Sequence, residues 1–212
     1  ISSAGFDTQT PQKYLLTQKM PFFSIIIPVY NVSGYLQECL ESLVRQSCGN
    51  WEAVCVDDGS TDESGAILDR YAARDMRFRV FHRRNQGVCA ARNFAIAEAR
   101  GSWIGFLDGD DVLEAEWLSK AYEEIIRHKP HLLRMSFKYW YPSRDEPFAF
   151  GNQEKHAEIG GRASVASWGW RVIPAGGWIC VIFVDAAVLS QSGKTFCEDL
   201  KVREDSVFLL SL

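Results

Sequence analysis

Three stretches of this chain share one pattern, and that pattern narrows the fold sharply. Phe22 to Val29 (FFSIIIPV) is an almost unbroken apolar run rich in isoleucine. Such a run suits a strand covered on both faces, as in a parallel sheet. Ala53 to Val56 and Trp103 to Leu107 repeat it. Each run halts at a polar cluster: Tyr30-Asn31, then Asp57 to Asp62 (DDGSTD), then Asp108-Gly109-Asp110-Asp111. Between the runs lie helical signals. Tyr35, Leu36, Cys39, Leu40, Leu43 and Val44 form an apolar stripe at helical spacing. Ser60 and Glu63 predict a capping box for a helix reaching about Ala73. Arg77 to His82 predicts a third strand. Val88 to Ala99 predicts an alanine-rich helix stopped by Gly101, and Glu114 to His128 a further helix. Strand and helix alternate to about residue 128, which predicts an α/β fold. Its sheet is open, Rossmann-like and mostly parallel, flanked by helices and joined by right-handed crossovers. Ligands of such sheets bind at the carboxyl ends of the strands, where all three polar clusters fall.

Beyond residue 128 the pattern changes. Leu132 to Trp140 predicts a strand, and Pro142 to Gly161 is polar. Trp168, Trp170 and Trp178 gather around Gly169, Gly176 and Gly177. This part predicts a smaller, mixed sheet region. Its tryptophans suit stacking on a sugar ring, and equally a core beneath loops. Asp185 to Leu189 predicts a short helix, and Val207 to Leu212 another, in which the sequence stops.

Chemistry concentrates at Asp108, Asp110 and Asp111. Three carboxylates at one strand end repel one another, and a divalent cation with oxygen ligands relieves that repulsion. A turn with a helix cap would use the same residue type. Gly109 is expected to turn the backbone sharply and leave room for a ligand. The net charge of −4 argues against a general binder of nucleic-acid backbones. An anionic substrate then needs a metal or a local basic group. None of the six cysteines forms a CxxC pair, which favours reduced thiols and a cytoplasmic setting. The four histidines are scattered and read as ordinary surface or core residues. No signal peptide is visible, and the longest apolar stretch, Trp178 to Val184, is too short to cross a bilayer.

Taken together, the motifs resemble the family 2 glycosyltransferases, which have the GT-A fold. The blocks that carry the likeness are Pro28-Val29-Tyr30-Asn31 and Val56-Asp57-Asp58-Gly59-Ser60-Thr61-Asp62. They continue with Asn85-Gln86-Gly87, Ala91-Arg92-Asn93 and Phe106-Leu107-Asp108-Gly109-Asp110-Asp111. Glu204-Asp205, ahead of an apolar helix, is the last. The likeness runs from about Phe22 to Val207.

That resemblance implies an inverting transfer from a nucleotide-diphosphate sugar, a UDP-sugar in the first instance. The acceptor would be a hydroxyl of a glycan or a lipid-linked molecule, in polysaccharide biosynthesis of the cell envelope. It implies that Pro28 and Tyr30 form the wall for the base, with Asn31 and Asp57 close to the nucleoside. Asp58 would accept from the base's N3–H, and Arg92 would touch the nucleotide. Asp108 and Asp110 match a DxD motif that binds Mg²⁺ or Mn²⁺, and Asp108 also faces the donor. Asp205 matches the general base, with Glu198-Asp199 as the competing pair. Trp178 stands in a stretch, Gly177 to Cys180, where many relatives carry a more polar tryptophan motif on the acceptor side. The implied organisation is an N-terminal extension over 1–20, a nucleotide-sugar half over 21–128 and a C-terminally truncated acceptor half over 129–212. The implied location is the cytoplasm, where a lipid-linked acceptor would be met at the inner face of the membrane. No nucleic-acid partner is implied. Two other readings stay open. A sugar nucleotidyltransferase would want a glycine-rich, basic loop after the first strand, whereas Tyr30 to Gly34 has no lysine or arginine. A catalytically silent nucleotide-sugar-binding module would not need all of Asp58, Asp110 and Asp205.

Overall fold

The computed structural model describes residues 20–135, 137–139, 148–150, 157–160, 179–200 and 204–211. Trp168, Trp170 and Trp178 lie outside the described residues, as do residues 1–19. The first strand, β1 (Phe23–Val29), leads to helix α1 (Ser33–Val44), then β2 (Trp51–Asp57) and α2 (Ser64–Arg74). Next come β3 (Phe78–His82), α3 (Val88–Glu98), β4 (Trp103–Phe106) and α4 (Trp117–His128). Strands β5 (Leu132–Met135), β6 (Phe137–Tyr139), β7 (Phe148–Phe150) and β8 (Ala157–Gly160) follow. A 3-10 turn (Ile179–Val181) enters β9 (Ile182–Asp185), and helices α5 (Ala186–Ser192) and α6 (Glu204–Ser211) close the chain.

Seven strands form one sheet in the order β3-β2-β1-β4-β9-β5-β8. The β3-β2-β1-β4 part is parallel. The rest is antiparallel, and β6 and β7 pair apart from it. The predicted strand over Leu132–Trp140 is thus two strands serving two sheets.

The isoleucine-rich run is buried on both faces because helices cover both. Phe23, Ile25, Ile27 and Val29 pack with Leu36, Leu40 and Leu43 of α1, Leu68 of α2 and Leu118 of α4. Ile26 faces the other way, toward Ala91 and Ala95 of α3, Leu189 of α5 and Phe208 of α6. Each isoleucine removed from water in this way stabilises the fold by about 1.5–3 kcal/mol. Tyr35 and Val44, which share the predicted stripe of α1, are exposed instead. They sit at the margins of its buried face, Leu36-Cys39-Leu40-Leu43.

Gly105 has a specific packing role. A Cβ there would sit 2.6 Å from the Phe183 ring of β9. The missing side chain lets that ring lie against Phe23, at 5.1 Å, and Trp117, at 4.6 Å. The strand of the parallel half and the strand that ends it therefore fit only because position 105 is empty.

The expected capping box fails. Helix α2 starts at Ser64, and the Glu63 side chain at its N-cap makes no capping bond. The Ser60 hydroxyl accepts from Asn31 N–H at 3.1 Å instead, while Asp62 Oδ1 accepts from Ser64 N–H at 2.9 Å. No described helix is long and apolar enough to cross a membrane.

Candidate active site

The carboxyl ends of β2, β1 and β4 are neighbours, so the three polar clusters share one edge of the sheet. Because β9 runs antiparallel to β4, its entry rather than its exit lies at this edge. That brings the 3-10 turn with Ile179 and Cys180 to the aspartates after β4.

On the β1–β2 side, two loops are laced together. Asn31 holds a left-handed backbone, φ 52°, a conformation asparagine tolerates better than most residues. Its Oδ1 accepts from Thr61 N–H at 2.7 Å, and Asp62 Oδ2 accepts from Ser33 N–H at 3.0 Å. Tyr30 is 49% exposed and Pro28 is half-buried, leaving an open ring face at this corner. Asp57 is buried. Its Oδ1 accepts from Ser60 N–H at 2.9 Å, and its Oδ2 pairs with His82 Nδ1 at 2.9 Å. Burial works against the Asp57 carboxylate, but the bonds from Ser60 and His82 outweigh it and hold its pKa below the usual range. Asp58, also buried, accepts from Gln86 N–H at 2.9 Å and Gly87 N–H at 2.8 Å. Both its oxygens thus brace the loop that leads into α3.

On the β4 side, Arg92 organises the site. It lies on α3, is 3% exposed, and reaches three carboxylates from two distant segments. Its Nη2 donates to Asp108 at 2.9 Å, and its Nη1 donates to Asp205 at 2.6 Å and Glu204 at 3.4 Å. Its buried Nε has no partner among the described residues. Burial alone would lower the guanidinium pKa, but Asp108, Asp205 and Glu204 overcome it and raise it. Asp205 sits at the first turn of α6, and its Oδ2 accepts from Ile179 N–H at 3.3 Å. Burial pushes its carboxyl up to about 6; Arg92 pulls the other way, and Glu204 and Asp108 add to the rise. Glu198 and Asp199 are exposed, and Glu198 accepts from Asn93 Nδ2 at 3.0 Å.

Asp108, Asp111 and Cys180 bring ligand atoms within 4.8 Å of one another. Asp110 is exposed and stands outside that cluster. Burial raises the Asp111 carboxyl and the Cys180 thiol, and the neighbouring aspartates raise both further. Gly109 does not open space for a ligand. It is buried, and a Cβ there would meet Val32 of the β1–α1 loop at 3.0 Å.

Local patterns in the sequence do not reveal Cys180 or His82 as site residues. Cys180 arrives through an antiparallel strand pairing with no local signal. His82 is not an ordinary surface residue, since it stands between two carboxylates.

The model of the glycosyl transferase family 2 matches residues 24–162, which is more than half of the chain. The chain belongs to the family 2 glycosyltransferases. It is similar to the uncharacterized glycosyltransferase EpsJ of Bacillus subtilis, with 42% identity over 118 residues, 56% of this chain and 34% of EpsJ. Among solved structures, residues 1–349 of Staphylococcus aureus TarS superpose with a TM-score of 0.72 at 28% identity. The match covers 89% of this chain and 54% of that one. The same protein in complex with UDP-GlcNAc gives a TM-score of 0.69 at 25% identity, covering 89% and 52%. The family 2 chain described here therefore spans about a third of the length of EpsJ and about half of the TarS fragment.

Proposed function

We propose that this chain carries the donor site and general base of an inverting glycosyltransferase. It would move a sugar from a nucleotide-diphosphate sugar, specifically a UDP-sugar, to a hydroxyl of a glycan or lipid-linked acceptor. The observation that carries the reading is the single guanidinium of Arg92 bonded to both Asp108 and Asp205. The aspartate expected at the donor and the aspartate expected at the acceptor are thereby one side chain apart. The likeness to TarS, solved with UDP-GlcNAc, supports a uridine nucleotide.

In this reading Pro28, Tyr30, Asn31, Asp57 and Asp58 make the nucleoside corner, residues 21–128 supply the donor half, and residues from 129 onward face the acceptor. Asp205 takes the proton of the acceptor hydroxyl while that oxygen bonds to the anomeric carbon. The bond to the diphosphate breaks from the opposite face, so configuration inverts. Its pKa near 6 suits a base that must be ionised near neutrality yet accept a proton in the transition state. Arg92 keeps Asp205 oriented and balances the carboxylates around it.

The donor set fits Mg²⁺ or Mn²⁺. Asp108 and Asp110 would hold the ion, Asp110 turning in from outside the cluster that Asp108 forms with Asp111 and Cys180, and carboxylate oxygens suit these hard cations. When bound, the ion would neutralise charge on the leaving diphosphate. Without an ion, burial and the neighbouring Asp111 and Asp108 raise the Cys180 thiol.

Release of UDP from a panel of UDP-sugars in the presence of Mn²⁺ tests the proposal. Asp205→Asn should slow it about 10²–10⁴-fold and leave UDP affinity unchanged by calorimetry. Tight UDP binding with no turnover of any donor would favour a silent binding module. Full activity in Asp205→Asn would move the base elsewhere.

A further inference from the structure

Resting on the nucleotide site just proposed, one group remains unused by the mechanism. The His82 ring at the end of β3 is held at both nitrogens. Nδ1 lies 2.9 Å from Asp57 Oδ2 of β2, and Nε2 lies 3.0 Å from Asp69 Oδ1 of α2. Asp57 and Asp69 are the charged groups that face the ring. The position is built for it: a Cβ at Gly65 of α2 would meet Asp57 Oδ2 at 3.0 Å and the His82 ring at 3.6 Å.

A neutral imidazole has one N–H and can donate to only one carboxylate. Two ionised carboxylates at hydrogen-bond distance from both nitrogens are satisfied together only by the imidazolium. The consequence reaches the nucleoside corner through Asp57. Its other oxygen holds Ser60 N–H, the Ser60 hydroxyl holds Asn31 N–H, and Asn31 holds Thr61. With the ring charged, Asp57, His82 and Asp69 carry a net charge of −1. With the ring neutral they carry −2, at the nucleoside corner of a site whose ligand is itself an anion.

We propose that His82 is a positioning residue for the donor, whose charged ring clamps Asp57 to Asp69 and makes nucleotide-diphosphate affinity depend on pH. Both carboxylates raise the His82 pKa above 6.5, with the bond from Asp57 the largest cause. Affinity is therefore full below that raised value and falls as pH rises through it. By reciprocity, bound nucleotide raises the ring's titration midpoint by the same factor.

Calorimetry with UDP and no metal, repeated across the pH range, reads the coupling. Wild-type affinity should fall about fivefold as the ring deprotonates, the low end of coupling between sites. UDP titrates too, but that contribution is common to all variants. His82→Gln should lose the extra pH dependence. Asp69→Asn, at a side chain 65% exposed, should fold normally and move the midpoint to lower pH, because the amide can donate to a neutral ring. NMR of the His82 ring should show its midpoint rising on saturation with UDP. Identical pH profiles in wild type, His82→Gln and Asp69→Asn, or a ring midpoint that UDP does not move, would overturn the proposal. If His82→Gln fails to fold, Asp69→Asn and the ring titration decide alone. Absence of UDP binding at every pH would overturn the nucleotide site itself, and this proposal with it.

Discussion

Arg92 and Asp205 are 113 positions apart and meet at 2.6 Å, so the chemistry of each depends on the other. Burial raises the carboxyl, and the guanidinium is the largest opposing influence. The sign of the consequence is fixed. As the proposed base, Asp205 must be ionised, so kcat/KM should fall tenfold per pH unit below about 6. Arg92→Met removes the influence that favours the ionised form, and the acidic limb should move to higher pH. Profiles of kcat/KM against pH for the two proteins check this, and coincident limbs would show that Arg92 does not set the base. Nothing local in the sequence links positions 92 and 205; the motif resemblance singles out both, but only the fold joins them. Cys180 shows the same limit: the motif resemblance marks its stretch, Gly177 to Cys180, on the acceptor side, but nothing in its spacing to Asp111 shows that the two meet.

Secondary-structure elements were more legible. The runs at β1, β2 and β4 stand out because a parallel strand covered on both faces must be apolar throughout. Strand β2 extends two residues further back than its apolar run because Glu52 is buried there. It accepts from the Ser24 hydroxyl at 2.6 Å and pairs with Arg79 at 3.2 Å. A charged residue with buried partners looks like a loop residue when read alone. The capping box does not form because the Ser60 hydroxyl is committed to Asn31, a contact 29 residues away in sequence. The strand pairing of β4 with β9 was equally invisible, yet it is what Gly105 serves. Gly105→Ala puts a methyl group where the Phe183 ring lies 2.6 Å from the built Cβ. Overpacking of this kind costs about 1–3 kcal/mol, so the denaturant midpoint should fall while the slope stays unchanged. A midpoint equal to wild type would mean that β9 shifts freely against β4.

At the scale of the molecule, the proposed base should be a liability for stability. Asp205 has a pKa of about 6 in the fold, against 3.8 for an ordinary aspartate. The protonated form is thus the one the fold prefers. Stability from this group is complete below pH 3.8 and is lost as pH rises through about 6. At neutral pH the wild-type protein holds a partly buried carboxylate, 16% exposed, in its less favourable state. Two pKa units correspond to about 3 kcal/mol. Asparagine has nearly the shape of the protonated aspartate and carries no charge, so Asp205→Asn should be more stable than wild type at pH 8. For a domain of this size each kcal/mol moves the melting temperature by about 2–4 °C. The gain should therefore be several degrees at pH 8, about half as large at pH 5, where the folded carboxyl is protonated but the unfolded one is not, and should vanish only below pH 3.8. Loss of the bond to Arg92 works against the gain at every pH, but only the titration of Asp205 makes it pH-dependent. Melting curves of the two proteins at pH 5, 6, 7 and 8 measure that dependence. A constant difference would mean that Asp205 is ionised throughout, and that Arg92 rather than burial governs it. Active-site groups held in states the fold disfavours are a common origin of the trade between activity and stability, and here the same substitution that should slow transfer should reveal it.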